Sequence, residues 1–179
     1  WVNMITAVTL ALALAFESTE AGVMARPPRD PKEPILTPFL VWRVFFVSLI
    51  LVVGTFGLFL WDRLPAASIE ASRTVAVNTL IMFEVFYLIN TRHLKESVLN
   101  RQALSGNRAI PIAIATVMIF QLFYTYLPPM QHLFGSAAIG PTDWVRIVLV
   151  SSSVLVLVEL EKFIIQRMES RRRGFLKNP

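Results

Sequence analysis

Five apolar blocks, each roughly 17 to 23 residues long and separated by shorter polar stretches, constrain this chain more than any other feature of its sequence, because a helix of that length covers the ~30 Å of a bilayer's hydrocarbon core. Backbone N–H and C=O groups find no water partners in lipid, so such blocks must satisfy their hydrogen bonds internally, as helices. Hydrophobic residues make up 55% of the 179, charged residues only 16%, and the mean hydropathy is +0.59, more apolar surface than a soluble domain of this size can hide. The expected fold class is all-α, a polytopic transmembrane helical bundle.

Five membrane-spanning helices are placed at about 1–16, 39–61, 74–91, 109–127 and 144–166. The first connection, 17–38, holds Pro27, Pro28, Pro31, Pro34 and Pro38, too many fixed φ angles and missing donors for a continuous helix, and reads as an ordered polar loop. Pro65 marks the second connection, Ser105-Gly106-Asn107 the third, and Pro128-Pro129 with Gly135, Gly140 and Pro141 the fourth. None is long enough for a separate domain. The chain starts at Trp1 inside an apolar run, with no initiator Met and no basic leader, so a piece of a longer protein is expected.

Basic residues divide unevenly between the two sides of these spans. Fourteen fall on one side: Arg26, Arg29, Lys32, Arg43, Arg92, Lys95, Arg101, Arg108, Lys162, Arg167, Arg171, Arg172, Arg173 and Lys177. Only Arg63, Arg73 and Arg146 fall on the other. The positive-inside rule then makes 17–38, 92–108 and the tail 167–179 cytoplasmic and starts Trp1 on the outer side. The same rule accounts for the net charge of +5 without nucleic acid, so no nucleic-acid partner is expected and the lipid bilayer is the surrounding medium. The tail's Arg171-Arg172-Arg173 suits an anionic inner leaflet. Aromatics near the span ends, Trp42, Trp61, Tyr124, Tyr126 and Trp144, fit headgroup anchors.

Several classes of chemistry are removed at once. There is no cysteine, hence no disulfide, thiolate nucleophile or Cys-based metal site, and the two histidines, His93 and His132, lie in different connections. No catalytic residue and no bound cofactor site follow from the sequence. What remains is the polar content of the spans. Glu84 lies about ten residues into the third, where a carboxylate costs ~2.5–3.5 kcal/mol to insert. It reads either as an ion ligand or proton carrier, or as a hydrogen-bonded glutamate holding helices together through Asn78 or Asn90. Asn3 and Thr6 sit three residues apart, about 60° around a helix, and so put an amide oxygen and a hydroxyl on one face. Oxygen ligands suit hard cations, while hydrogen bonds to backbone or a neighbouring helix are the plainer use. Glu159 and Glu161, beside Lys162, read as interfacial ion pairing, and Ser151-Ser152-Ser153 as a patch where a helix can approach closely.

These residues also resemble a known family. Trp1-Val2-Asn3-Met4-Ile5-Thr6 and the Ala-rich helix after it are similar to the sixth transmembrane helix of type II P-type cation-transporting ATPases, the calcium pumps among them. Met24-Ala25-Arg26-Pro27-Pro28-Arg29-Asp30-Pro31-Lys32-Glu33-Pro34 resembles the loop between that family's sixth and seventh helices and is the most specific match. Phe83-Glu84 through Leu88-Ile89-Asn90 resembles the eighth helix, Tyr126-Leu127-Pro128 the end of the ninth, and Trp144 with Glu159 and Lys162-Phe163 the tenth.

The resemblance implies the C-terminal five helices of a ten-helix transport domain, in a plasma-membrane pump with a cytoplasmic C-terminus. It implies Asn3, Thr6 and Glu84 as metal ligands for a transported cation, Ca²⁺ or another hard ion. Mg²⁺, ATP and the phosphorylated aspartate would belong to upstream cytoplasmic domains, which with the upstream helices are the expected partners; the family's Asp-Lys-Thr-Gly-Thr motif is not in this sequence. Where the calcium pumps carry an aspartate and a glycine after the threonine, this chain has Ala7 and Val8, which removes a central carboxylate and leaves a divalent ion less favoured. Where the calcium pump has three acidic residues ahead of Arg-Pro-Pro-Arg, this chain keeps Glu20 but has Gly22 and Ala25. A secondary cation transporter or channel subunit, and a structural membrane scaffold, are the readings that the polar residues by themselves leave open.

Overall fold

Six helices make up the described part of the chain: α1 Val2–Ala15, α2 Pro38–Arg63, α3 Ile69–Thr91, α4 Ala109–Tyr126, α5 Pro128–Phe134 and α6 Pro141–Lys177. The computed structural model describes residues 1–16, 34, 36–63, 67–91 and 109–177, with side chains as far as Met168. The Arg-Pro-Pro-Arg loop, apart from Pro34, and the connection 92–108 lie outside the described residues. No strand occurs among the described residues, so the bundle is all-α.

Local sequence sets the helix starts. The Thr37 hydroxyl accepts from the Leu40 amide at 3.3 Å ahead of Pro38, a proline tolerated at a first helical position because its missing N–H would have no partner there. Ser68 does the same for α3, accepting from Ala71 N at 3.1 Å, so that helix begins at Ile69 rather than at Thr74. At α6 the Asp143 carboxylate reaches back to the Gly140 amide at 2.9 Å, the reciprocal arm of a capping box. The fourth connection is not simply loop: Pro128 and Pro129 open the short α5, which ends on Gly135 at φ 60°, a left-handed turn open to a residue without Cβ.

Three helices, α2, α3 and α4, are long and apolar enough to cross a membrane, and α1 is a shorter apolar helix of 14 residues. They share one centre. α3 packs against α6, α2, α1 and α4, and is the most buried of the candidate spans, with 56% of its apolar window covered against 11% in α2. That contrast leaves most of α2, including Val44, Phe45, Val52 and Phe56, turned outward as a lipid-compatible surface.

Two interfaces hold α3 in different ways. Against α1 and α4 the contact is an apolar cluster containing Ile5, Leu10, Ile81, Val85, Leu88 and Val117. Trp1 closes its end, stacking on Tyr124 at 5.6 Å and donating from Nε1 to the Gln121 amide oxygen at 3.2 Å. Against α2 and α6, Phe83 is fully buried with Val47, Val154 and Val158. Gly54 permits this approach, since a Cβ built there would run into the Phe83 ring. Of the expected aromatic anchors, Trp42, Trp61 and Tyr126 are exposed, Trp144 is half-buried and donates to the Tyr126 hydroxyl at 2.8 Å, and Tyr124 is instead buried under Trp1.

Candidate functional site

Glu84 is half-buried on the side of α3 that meets α1, and its carboxyl stands beside the Thr6 hydroxyl. The Thr6 hydroxyl donates to the Val2 carbonyl at 3.0 Å, which uses its proton and leaves its lone pairs available. Oε2 of Glu84 is buried without a hydrogen-bond partner among the described residues. A buried carboxylate oxygen left this way is costly in a protein interior unless a cation or proton meets it.

Neither of the plainer partners considered for Glu84 reaches it. Asn78 donates instead to the Thr74 carbonyl at 2.9 Å and to the Thr125 hydroxyl at 3.1 Å, and Asn90 donates to the Val154 carbonyl at 3.5 Å. Helical geometry explains this: six residues turn the chain by about 240°, so positions 78 and 90 both face away from position 84. Asn3, one turn from Thr6 on α1, is exposed and points out of the described bundle. The structure therefore brings Thr6 and Glu84 together from two helices and sets Asn3 at the outer edge of that pair.

Two or three oxygens do not complete a hard-cation shell, which takes about six to eight. Among the described residues no three His, Cys, Asp or Glu side chains gather into a metal-binding group. A separate cleft of about 640 Å³ between α2 and α3 offers no cage either: apart from Thr55 and Arg73 its lining is apolar, including Leu51, Phe56, Leu80 and Phe134. Val77 and Leu80 in that lining precede Glu84 on the same face of α3.

The sequence reading missed a second polar cluster, at the other face and the C-terminal end of α3. Arg43, Glu161 and Lys162 retain only 2%, 7% and 4% of their exposure, far from the solvated pairing expected of interfacial residues. Arg43 Nη2 lies 2.6 Å from Glu161 Oε2, joining α2 to α6. Lys162 Nζ donates to Glu159 Oε1 at 2.9 Å, as expected, and also to the Asn90 carbonyl of α3 at 3.3 Å. The available signal was Arg43 itself, an arginine inside an otherwise apolar block, which counts toward orientation and also requires a partner.

An all-helical, multi-pass membrane bundle with an intramembrane carboxylate facing a hydroxyl defines a class, that of integral membrane proteins equipped to meet a cation. Comparison with known proteins narrows it: the family model "Cation transporting ATPase, C-terminus" matches residues 1–164, and the chain belongs to that family. It is 42% identical over 158 residues to "Probable cation-transporting ATPase F" of Mycobacterium tuberculosis, an alignment covering 88% of this chain and 17% of that protein. It is 29% identical over 154 residues to a "Calcium-transporting ATPase" of Bacillus subtilis, covering 85% of this chain and 17% of that one. With human "Calcium-transporting ATPase type 2C member 1" it shares 27% identity over 178 residues, 99% of this chain and 19% of the relative. The chain thus spans less than a fifth of the length of these relatives and is the membrane-embedded C-terminal part of a cation-transporting P-type ATPase.

Proposed function

We propose that this chain supplies part of the ion-binding site and the anchoring helices of an ATP-driven cation pump. The observation that carries the reading is Glu84: a carboxylate within a membrane helix, facing the Thr6 hydroxyl, with its second oxygen buried and unbonded among the described residues. Glu84 and Thr6 give two ligands from different helices, and Asn3 gives a third when another helix covers the open side of α1. A ligand set split between helices that can shift relative to one another allows a cation to be held in one arrangement and released in another. ATP hydrolysis, with its Mg²⁺, belongs to the parts of the full-length protein outside this chain. Family membership supports the pump over a secondary transporter, a channel subunit or a scaffold.

In this reading α1 and the first two-thirds of α6 cross the membrane together with α2, α3 and α4. The charge asymmetry supports a cytoplasmic C-terminus in the plasma membrane. The transported ion is a hard cation. Two relatives are named as calcium transporters, which favours Ca²⁺, whereas Ala7 in place of the calcium pumps' aspartate lowers the charge available to a divalent ion.

The test is cation-stimulated ATP hydrolysis and vesicle uptake by the full-length protein, wild type against Glu84→Gln, with Ca²⁺, Mn²⁺, Na⁺ and K⁺ offered in turn. Glu84→Gln is expected to raise the half-saturating concentration of the active cation about a hundredfold, ~2.7 kcal/mol of binding. Unchanged half-saturation would remove Glu84 from the site.

A further inference from the structure

We infer that the buried Arg43–Glu161 pair, with Lys162 on the Asn90 carbonyl, is a positioning device that fixes the rotation and height of α3 and so aims Glu84 at Thr6. This inference rests on Glu84 being an ion ligand.

The argument starts from which face of α3 is pinned. The Ser151 hydroxyl of α6 donates to the Thr79 carbonyl at 3.2 Å, Asn90 Nδ2 donates to the Val154 carbonyl of α6 at 3.5 Å, and Lys162 Nζ returns to the Asn90 carbonyl at 3.3 Å. Positions 79 and 90 are eleven residues apart, which brings them within about 20° of each other around the helix. α3 is therefore tied to α6 at two levels along one stripe. Glu84 lies between those levels and about 120–140° around, on the side presented to α1. Rotation of α3 on α6 would carry the carboxylate away from Thr6.

What opposes that rotation is charge. The Tyr87 hydroxyl, one turn beyond Glu84 on α3, stands beside the Arg43 guanidinium, which also lies 5.2 Å from the Phe39 ring centre and pairs with Glu161 at 2.6 Å. Arg43 comes from α2, Tyr87 from α3 and Glu161 from α6, so one guanidinium joins three helices. Apolar contacts are non-directional and would tolerate a few degrees of rotation. A buried ion pair does not, because a small displacement leaves a charge unpaired in a low-dielectric interior. The pair thus supplies the directional constraint that the leucine and valine surfaces around it lack.

The experiment uses the full-length protein in membrane vesicles and reads the half-saturating concentration of whichever of Ca²⁺, Mn²⁺, Na⁺ or K⁺ stimulates ATP hydrolysis by the wild type. Half-saturation does not depend on how many molecules fold, so reduced expression does not imitate the effect. Arg43→Ala and Glu161→Ala are each expected to raise it about tenfold, the lower end of what loss of a supporting shell costs a metal site. The reversed pair, Arg43→Glu with Glu161→Arg, is expected to return within about threefold of wild type. Single variants with wild-type half-saturation would overturn the inference, and so would a reversed pair that restores neither activity nor affinity. If the single variants are inactive, the reversed pair alone decides. Glu84→Gln measured alongside separates the cases: no effect there sinks the ion-ligand reading itself, whereas a large effect there with none at Arg43 or Glu161 sinks only the positioning role.

Discussion

The two sides of α3 treat buried charge in opposite ways. Toward α2 and α6, Arg43, Glu159, Glu161 and Lys162 are drawn into pairs at 2.6 and 2.9 Å, with a backbone carbonyl taking another lysine proton at 3.3 Å. Toward α1, Glu84 has a single hydroxyl beside it and one oxygen with no hydrogen bond among the described residues. Both sides lie in an apolar setting where an unpaired charge is expensive. The difference separates two uses of such a charge: where it fixes helices it is paired within the fold, and where it meets a mobile ion it is left a free lone pair. Satisfied charge gives rigidity, and unsatisfied charge gives affinity for what can satisfy it.

The largest expected effect tests the rigid side. Glu161→Leu leaves the buried Arg43 guanidinium without its partner and should destabilise the full-length protein by about 3–5 kcal/mol, read as a lowered midpoint of thermal unfolding in detergent. Replacing both partners together, Arg43→Met with Glu161→Leu, should recover most of that loss, because no charge is then stranded. Recovery would show that the pair sets geometry more than stability, and an equal loss in the double variant would break that side of the comparison.

On the open side, Glu84→Gln should leave the unfolding midpoint nearly unchanged while weakening cation half-saturation by about a hundredfold, ~2.7 kcal/mol. A comparable fall in stability would mean that Glu84 is structural like Glu161. Gly54→Val comes next. Its branched side chain enters the space of the fully buried Phe83 ring, and overpacking of this kind costs about 1–3 kcal/mol. Because Phe83 precedes Glu84, a weaker cation response should accompany the lower midpoint. Trp1→Phe is the smallest: it keeps the stacking surface on Tyr124 but removes the indole N–H that Gln121 accepts at 3.2 Å, a loss of about 1 kcal/mol in unfolding stability.

Much of the fold was legible because the membrane simplifies the reading. Apolar block lengths define helices almost by themselves, and Thr37-Pro38, Ser68 and Asp143 fix the starts of α2, α3 and α6 through local hydrogen bonds. The short α5 was less visible, since Pro128-Pro129 signals a turn and the first turn of a helix equally well. Within the candidate site, Glu84 stood out by its cost in lipid and Thr6 by its spacing and resemblance. Their approach did not: nothing local to 1–16 or 69–91 says which face of α1 meets which face of α3. The partnership of Arg43 and Glu161 was hidden for the same reason, as 118 positions separate residues that each looked interfacial alone.

By itself, then, the sequence determined that this is an all-helical membrane protein, where its helices lie, on which side its basic residues gather and which carboxylate is out of place in lipid. These follow from length, composition and local caps, properties that each segment carries wherever it packs. Only the tertiary structure decided that α3 is the shared centre, that Glu84 faces Thr6 while Asn78 and Asn90 turn away, and that Arg43 is held by Glu161. Those outcomes depend on the rotation of one helix against another, which is set by side chains distant in sequence, Phe83 against Gly54 and Ser151 against the Thr79 carbonyl, meeting in space.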